Sequence, residues 1–364
     1  MSCGWKEDWE TTAARFDAWW RGEGMLVSHW GNGILPVGAP AAVSAHSSAA
    51  DWRKPMDFAL SERAALEAKS FPLDIVPFVF ADYGTLSLAP LLGAQVNFGE
   101  DTVWYGPAGL APDRDRKLVF DETKPFWSNL LAVVDESRAL AGDDYFIGSP
   151  ALAPGLDVLA ELCGTAELMT WLALEPEWVH SKLEEIQEAS YRALDALYPH
   201  IRAADGSMFH AFFMFWCRGR AGFAQCDAAA MISPAMFEEF CIPDLREYCR
   251  HFDRVLYHVD GPQALPTVDA LLEVEGLSAI EFTPGPQLPP GADPSFFDLY
   301  RRIKAAGKSV QAVWIKPAAE EVERLLDAVG PGGMYLEIEY GSMDDIEDIA
   351  RVVEKFRGRG GAGA

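Results

Sequence analysis

The chain is poor in cations. Lys and Arg total 30 against 55 Asp and Glu, a formal net charge of −25 over 364 residues. A surface this acidic has little with which to hold phosphates, so nucleic acid and anionic membranes are excluded as partners. No apolar run reaches the roughly 18 residues of a membrane-spanning helix. The six cysteines, Cys3, Cys163, Cys217, Cys226, Cys241 and Cys249, form no CxxC pair, and no disulfide framework is expected at this length. The opening MSCGWKEDWETTAARF is polar and amphipathic rather than a signal peptide, so the expectation is a soluble, cytoplasmic protein. A P-loop, a GxGxxG after a first strand, HExxH and GxSxG are all missing. Their absence sets aside NTPases, dinucleotide dehydrogenases, standard zinc proteases and α/β-hydrolases.

What is present is ordinary globular material, 49% apolar and 23% charged, with an aromatic load of 12% that includes 12 Trp. Residues 7–22 suit an amphipathic helix carrying Trp9, Phe16, Trp19 and Trp20, followed by a strand over 25–30 and a loop over 31–55. A helix at 57–70 precedes a buried strand at 74–82, and 94–122 reads as an excursion from the regular core.

From 125 onward strand and helix alternate. Strands are expected at 144–149, 208–216, 223–227, 254–260, 277–283, 309–315 and 334–339. Helices are expected at 125–141, 155–173, 175–202, 234–250, 263–273, 294–306, 318–328 and 344–356. Ser233-Pro234 supplies an N-cap and an N1 proline for one of them. This rhythm predicts a parallel sheet with helical crossovers, and the number of units suits a closed (β/α)8 barrel. Residues 1–356 would form one domain with an N-terminal extension over 1–56, and 357–364 a flexible tail.

In such a barrel the polar residues ending apolar strands share one rim. They are Asp82, Ser149, Trp216 with Cys217 and Arg218, Asp227, His258 with Asp260, Glu281, Lys316, and Glu339 with Tyr340. The sharpest group is His258-Val-Asp260-Gly261-Pro262, an imidazole and a carboxylate two residues apart at a strand end. They could bind a divalent metal or share a proton, with Glu281 on the next strand as a third oxygen ligand; a plain His–Asp hydrogen bond shaping the rim stays open. Arg218 and Arg220, in Trp216-Cys-Arg-Gly-Arg-Ala-Gly222, make a fork for carboxylate or phosphate, or else a solvated loop. Asp227, in Gln225-Cys226-Asp227, is placed as an acid, base or acceptor. Gln225, Trp216, Trp104, Tyr83 and Asp82 are candidate contacts for substrate at the mouth.

Three stretches resemble the uroporphyrinogen decarboxylase-like superfamily: Asp227 to Pro243, with its Ser-Pro-x-x-Phe-x-x-Phe-x-x-Pro pattern, Tyr257-His-Val-Asp-Gly-Pro262, and Ala306-Gly-Lys308. Trp19-Trp20-Arg-Gly-Glu23 and Glu100-Asp-Thr-Val-Trp104 look like a divergent subgroup near the corrinoid-system proteins. The resemblance implies a (β/α)8 barrel with its site at the strand C-termini. The Arg-Gln-Ala-Gly-Arg signature of true uroporphyrinogen decarboxylases is missing, which disfavours porphyrin decarboxylation.

Related cobalamin methyltransferases and cobalamin-independent methionine synthases hold zinc through His-x-Cys, a later Glu in the synthases, and a Cys before Gly. Here His258 matches the His, Asp260 replaces the first Cys, Glu281 falls at the Glu spacing, and Tyr340 before Gly341 stands for the late Cys. A His258, Asp260 and Glu281 site would be harder than a thiolate site and favour oxygen-bearing substrates.

The leading expectation is a small-molecule methyltransferase, assisted by zinc or another divalent metal and exchanging its methyl group with a corrinoid on a partner protein. His258, Asp260, Tyr340 and Asp227 would carry the chemistry. The alternatives are a decarboxylase or other carbon–carbon lyase acting on a carboxylic acid gripped by Arg218 and Arg220, and a non-catalytic corrinoid- or tetrapyrrole-binding protein. A homodimer would suit exposed aromatic surface.

Overall fold

The computed structural model describes residues 3–35, 54–81, 87–98, 103–110, 115–340 and 343–360. In chain order its strands are β1 (Met25–Ser28), β2 (Phe78–Phe80), β3 (Gln95–Phe98), β4 (Val103–Gly106), β5 (Phe146–Ser149), β6 (Met208–His210), β7 (Phe215–Cys217), β8 (Ala221–Ala224), β9 (Arg254–Asp260), β10 (Ala279–Thr283), β11 (Ser309–Ile315) and β12 (Met334–Ile338). Six of them form one all-parallel sheet in the order β1-β12-β11-β10-β9-β8. Four more form the order β2-β5-β6-β7, in which only β7 runs antiparallel, and β3 with β4 is a separate hairpin. The fold is α/β with a parallel sheet, as the alternation predicts. Hydrogen bonding closes no ring among the described residues, so the expected closed barrel is seen only as two separate curved runs of strands.

The strand expected over 208–216 is the instructive departure. It runs up as β6, turns through 211–214 and returns as β7, with Met214 in the left-handed region at φ 48°. No Gly, Pro, Asn or Asp marks this turn, because it is buried. Phe213 and Met214 lie in the space between the two sheets, where a polar turn would lose its water. The backbone instead finds partners across that space. Gln311 Nε2 donates to Phe213 O at 2.8 Å, and the Tyr335 hydroxyl donates to Met214 O at 2.7 Å.

Two helices also differ from the sequence expectation. Pro243 lacks the N–H that would continue one helix through 234–250, so the structure has Pro234–Phe240 and Ile242–His251, joined at Cys241. Pro266 similarly divides 261–272 into short pieces. The last helix continues beyond Phe356 to Gly360, and Arg357 pairs with the buried Asp74.

The helix Trp9–Trp19 closes the N-terminal end of the six-stranded sheet. Trp9, Thr12, Ala13, Phe16 and Trp19 recur at helical spacing and are all buried. Trp19 Nε1 donates to Val310 O at 3.3 Å near the start of β11, and Trp20 Nε1 to Trp216 O at 2.9 Å. Each fully buried aromatic here stabilises by about 2–3 kcal/mol before ordering costs. The opposite end of the strands is left to the loops. No helix among the described residues is long and apolar enough to cross a membrane.

Candidate active site

The parallel register of β9 and β10 sets His258 opposite Glu281 and Asp260 opposite Thr283. Alternation then turns His258, Glu281 and Thr283 toward one face, the face that meets the 211–214 turn. His258 Nδ1 is paired with Glu281 Oε2, and the Thr283 hydroxyl donates to Glu281 Oε1 at 2.7 Å. Both carboxylate oxygens of Glu281 are therefore taken. The Phe213 ring lies 5.0 Å from the imidazole, centroid to centroid. Burial opposes a charge on His258, but the Glu281 carboxylate, its hydrogen bond, and the charges of Asp260 and Asp227 outweigh it and raise the imidazole pKa. The ring nitrogen left for a ligand is Nε2.

Asp227 follows β8 and opens the 3-10 turn Asp227–Ala230. Asp157, on the helix Leu156–Cys163, anchors that turn by accepting the N–H of Asp227 at 2.8 Å and of Ala228 at 3.0 Å. Gln225 Nε2 bridges the Asp157 and Asp227 carboxylates at 3.4 and 3.3 Å. Asp227 keeps an exposed side, but partial desolvation of its carboxyl, then Asp157 and Asp260, push it up to about 6 against the pull of His258. Glu161, one helical turn beyond Asp157 and bonded by the Ser87 hydroxyl, is pushed up to about 7, mainly by burial.

Beside Glu281 lies a second buried carboxyl that sequence reasoning missed. Glu337, on β12, is bonded by Gln311 of β11 through Oε1, while its Oε2 and Gln311 Oε1 have no partner. Burial drives the Glu337 carboxyl well above the ordinary range, and the nearby Glu281 charge adds to the rise. Both residues interrupt apolar strands, Ser-Val-Gln-Ala-Val and Met-Tyr-Leu-Glu-Ile, which is the signal that also marked Glu281. Asp157 and Glu161 carried no such signal, because a helical carboxylate reads as solvated.

Of the sequence candidates, the structure groups His258, Glu281, Asp260, Asp227 and Gln225 and disperses the others. Arg220 precedes β8, whose first residue pairs with Arg254 at the start of β9. At about 3.3 Å per residue, His258 and Asp260 stand on the order of 13–20 Å further along. Arg220 there binds Asp195, and Arg218 binds Asp17 at 3.0 Å. The cause is the β6–β7 reversal, which returns the chain to the starting end of the sheet before β8 begins. Trp216 goes with them. It is 1% exposed and packs on Trp9 at 5.4 Å, as part of the floor rather than a pocket wall. Trp104, on β4, is 68% exposed. The Tyr340 hydroxyl is buried without a partner, and the charges acting on it are Asp74, Arg357 and Asp345 rather than those around His258. Burial raises its pKa. Asp82 and Tyr83 lie outside the described residues.

The structure does not arrange His258, Asp260 and Glu281, the three expected metal ligands, as a metal-binding group. Glu281 spends both oxygens on His258 and Thr283, and Asp260 is exposed. Among the described residues no three His, Cys, Asp or Glu side chains are grouped to hold a metal ion.

No protein-family model matches the chain, and no curated protein does. A solved structure does match: a methyltransferase from Methanosarcina mazei, with a TM-score of 0.60 over 95% of this chain and 99% of that one. At 13% identity the likeness is one of fold. In parallel α/β sheets ligands bind in the crevice outside the strand C-termini, the end at which His258, Asp260 and Asp227 lie in this chain.

Proposed function

We propose that the chain is a small-molecule methyltransferase, with the two arcs belonging to one (β/α)8 barrel and the His258–Glu281 pair as its chemical centre. The observation that carries this reading is the pair itself. A methyl group that leaves oxygen or nitrogen as an electrophilic carbon leaves its bonding electrons on the heteroatom, which then needs a proton. Glu281 raises the His258 pKa and fixes the ring through Nδ1, so a protonated ring would donate through Nε2. Thr283 steadies the far oxygen of Glu281, and Phe213 closes one side of the ring against water. Asp227, with its carboxyl near 6, is placed to take a proton back. The chain's own residues supply proton handling and orientation without a metal step. The acceptor or donor of the methyl group would be a corrinoid on a partner protein. Carboxylate-gripping lyase chemistry finds no support at this rim, because Arg218 and Arg220 stand at the other end.

The test is methyl transfer between reduced cobalamin and a panel of O-methyl and N-methyl compounds, followed by the appearance of methylcobalamin. Turnover with at least one donor, lost in His258→Ala and kept in Arg218→Ala, supports the reading. Absence of transfer across the panel, with carbon dioxide released from a carboxylic acid instead, overturns it.

A further inference from the structure

Four of the six cysteines are solitary in the fold. Cys3 and Cys163 turn their thiols to backbone carbonyls at 3.4 Å, and Cys217 and Cys249 are buried. Cys226 and Cys241 are different. Their sulfurs lie 3.7 Å apart, although they come from separate elements: Cys226 between β8 and the turn that carries Asp227, Cys241 at the junction of the helices Pro234–Phe240 and Ile242–His251. Among the described residues no other two cysteine sulfurs are in contact.

Both line a cavity of about 40 Å³ whose walls include Pro154, Phe240, Tyr248 and Tyr257. That is room for a molecule little larger than water. Cys226 is buried, whereas Cys241 is partly open to solvent. A disulfide needs its sulfurs about 2.05 Å apart, so they must close by about 1.7 Å. The cavity leaves both side chains space to swing.

We propose that Cys226 and Cys241 form an oxidisable dithiol that a small peroxide converts into an intramolecular disulfide. The Cys241 thiolate attacks the peroxide O–O bond. An S–O bond forms, hydroxide leaves, and the sulfur is oxidised by two electrons to a sulfenic acid. The Cys226 sulfur then attacks that sulfur. The S–S bond forms as the S–O bond breaks, and the leaving hydroxide departs as water with the Cys226 proton. Two thiols and one hydrogen peroxide thus give one disulfide and two waters. Cys241 is the attacking residue because it is the more accessible, and because burial and its neighbour push the Cys226 thiol well up. The bond would fasten the end of β8 to the helix junction one residue from Asp227.

The test exposes the reduced, full-length protein to graded hydrogen peroxide, alkylates the remaining thiols and maps the peptides by mass spectrometry. Met231, 56% exposed, reports that oxidant was delivered. The expected result is a single Cys226–Cys241 linkage, with both thiols lost together and restored by dithiothreitol. In Cys226→Ser, Cys241 should accumulate as a sulfenic acid trapped by dimedone, with a circular dichroism spectrum like the parent. Conversion of Met231 to its sulfoxide while both thiols stay alkylatable overturns the proposal. So does a linkage between other cysteines, or over-oxidation of Cys241 beside a free Cys226. The wild-type map decides the matter alone if the serine variants misfold.

Discussion

At the starting end of β8 and β9, Arg218 faces Asp17, and Arg220 and His251 share Asp195, so each carboxylate there has a cation beside it and some water. At the finishing end the residues are of similar kinds but are not matched. One imidazole of raised pKa, His258, feels the charges of Glu281, Asp260 and Asp227, and two carboxyls of this end, Asp227 and Glu161, are pushed toward neutrality. Exposed pairs change little when broken, because water screens and replaces them. Groups unequal in number and partly withdrawn from water are not balanced from within, and such an imbalance is what a substrate or a moving proton can use.

The largest effect expected is on turnover. His258→Ala should cut methyl transfer by about 10²–10⁴-fold, the usual weight of one proton-transfer group, while Arg218→Ala and Arg220→Ala leave the rate unchanged. A comparable loss in the arginine variants would break the comparison, and steady-state kinetics would show it.

The next effect is on stability at the floor. Trp216→Ala should lose about 3–5 kcal/mol in urea unfolding, because its ring fills a void against Trp9 and Phe16. Trp104→Ala should change stability by less than about 0.5 kcal/mol, since that ring is on the surface.

The dependence of stability on pH sharpens the contrast between two buried histidines. The pKa of His258 is raised in the fold, so its stabilisation is complete below the ordinary imidazole pKa and is lost as pH rises through the raised value. His210 is buried without a charge partner, and its pKa falls to about 3. Its neutral form is what the fold accepts, so that contribution is present above the ordinary imidazole pKa and fades as pH falls toward 3. His258→Gln should therefore flatten the alkaline limb of a stability–pH curve, and His210→Phe the acid limb, both read by thermal unfolding. The smallest effect expected is that of Arg218→Ala on stability, about 0–1 kcal/mol and shrinking with added salt.

Much of this was legible in the sequence. The alternation from 125 onward, the helix face of Trp9, Phe16 and Trp19, and the polar interruptions at His258 and Glu281 follow from periodicity alone. The return of β7 was not legible, because Phe212, Phe213, Met214 and Phe215 read equally well as one long strand. That single reversal moved Arg218, Arg220 and Trp216 from the mouth to the floor. The pairing of Glu281 with both His258 and Thr283 was hidden as well, since it depends on strand register.

The turn at 211–214 has one more consequence. The imidazole of His258 is packed by a short chain segment and not only by side chains rising from the strands. Phe213 touches the imidazole, and its carbonyl is tied to Gln311. A few substitutions in that segment would change what packs against His258 while the strands, and the His258–Glu281 pair with them, kept their place. The surroundings of the imidazole and the hydrogen bond that fixes it would then be separately adjustable in this chain, the first through the turn and the second through the strand register.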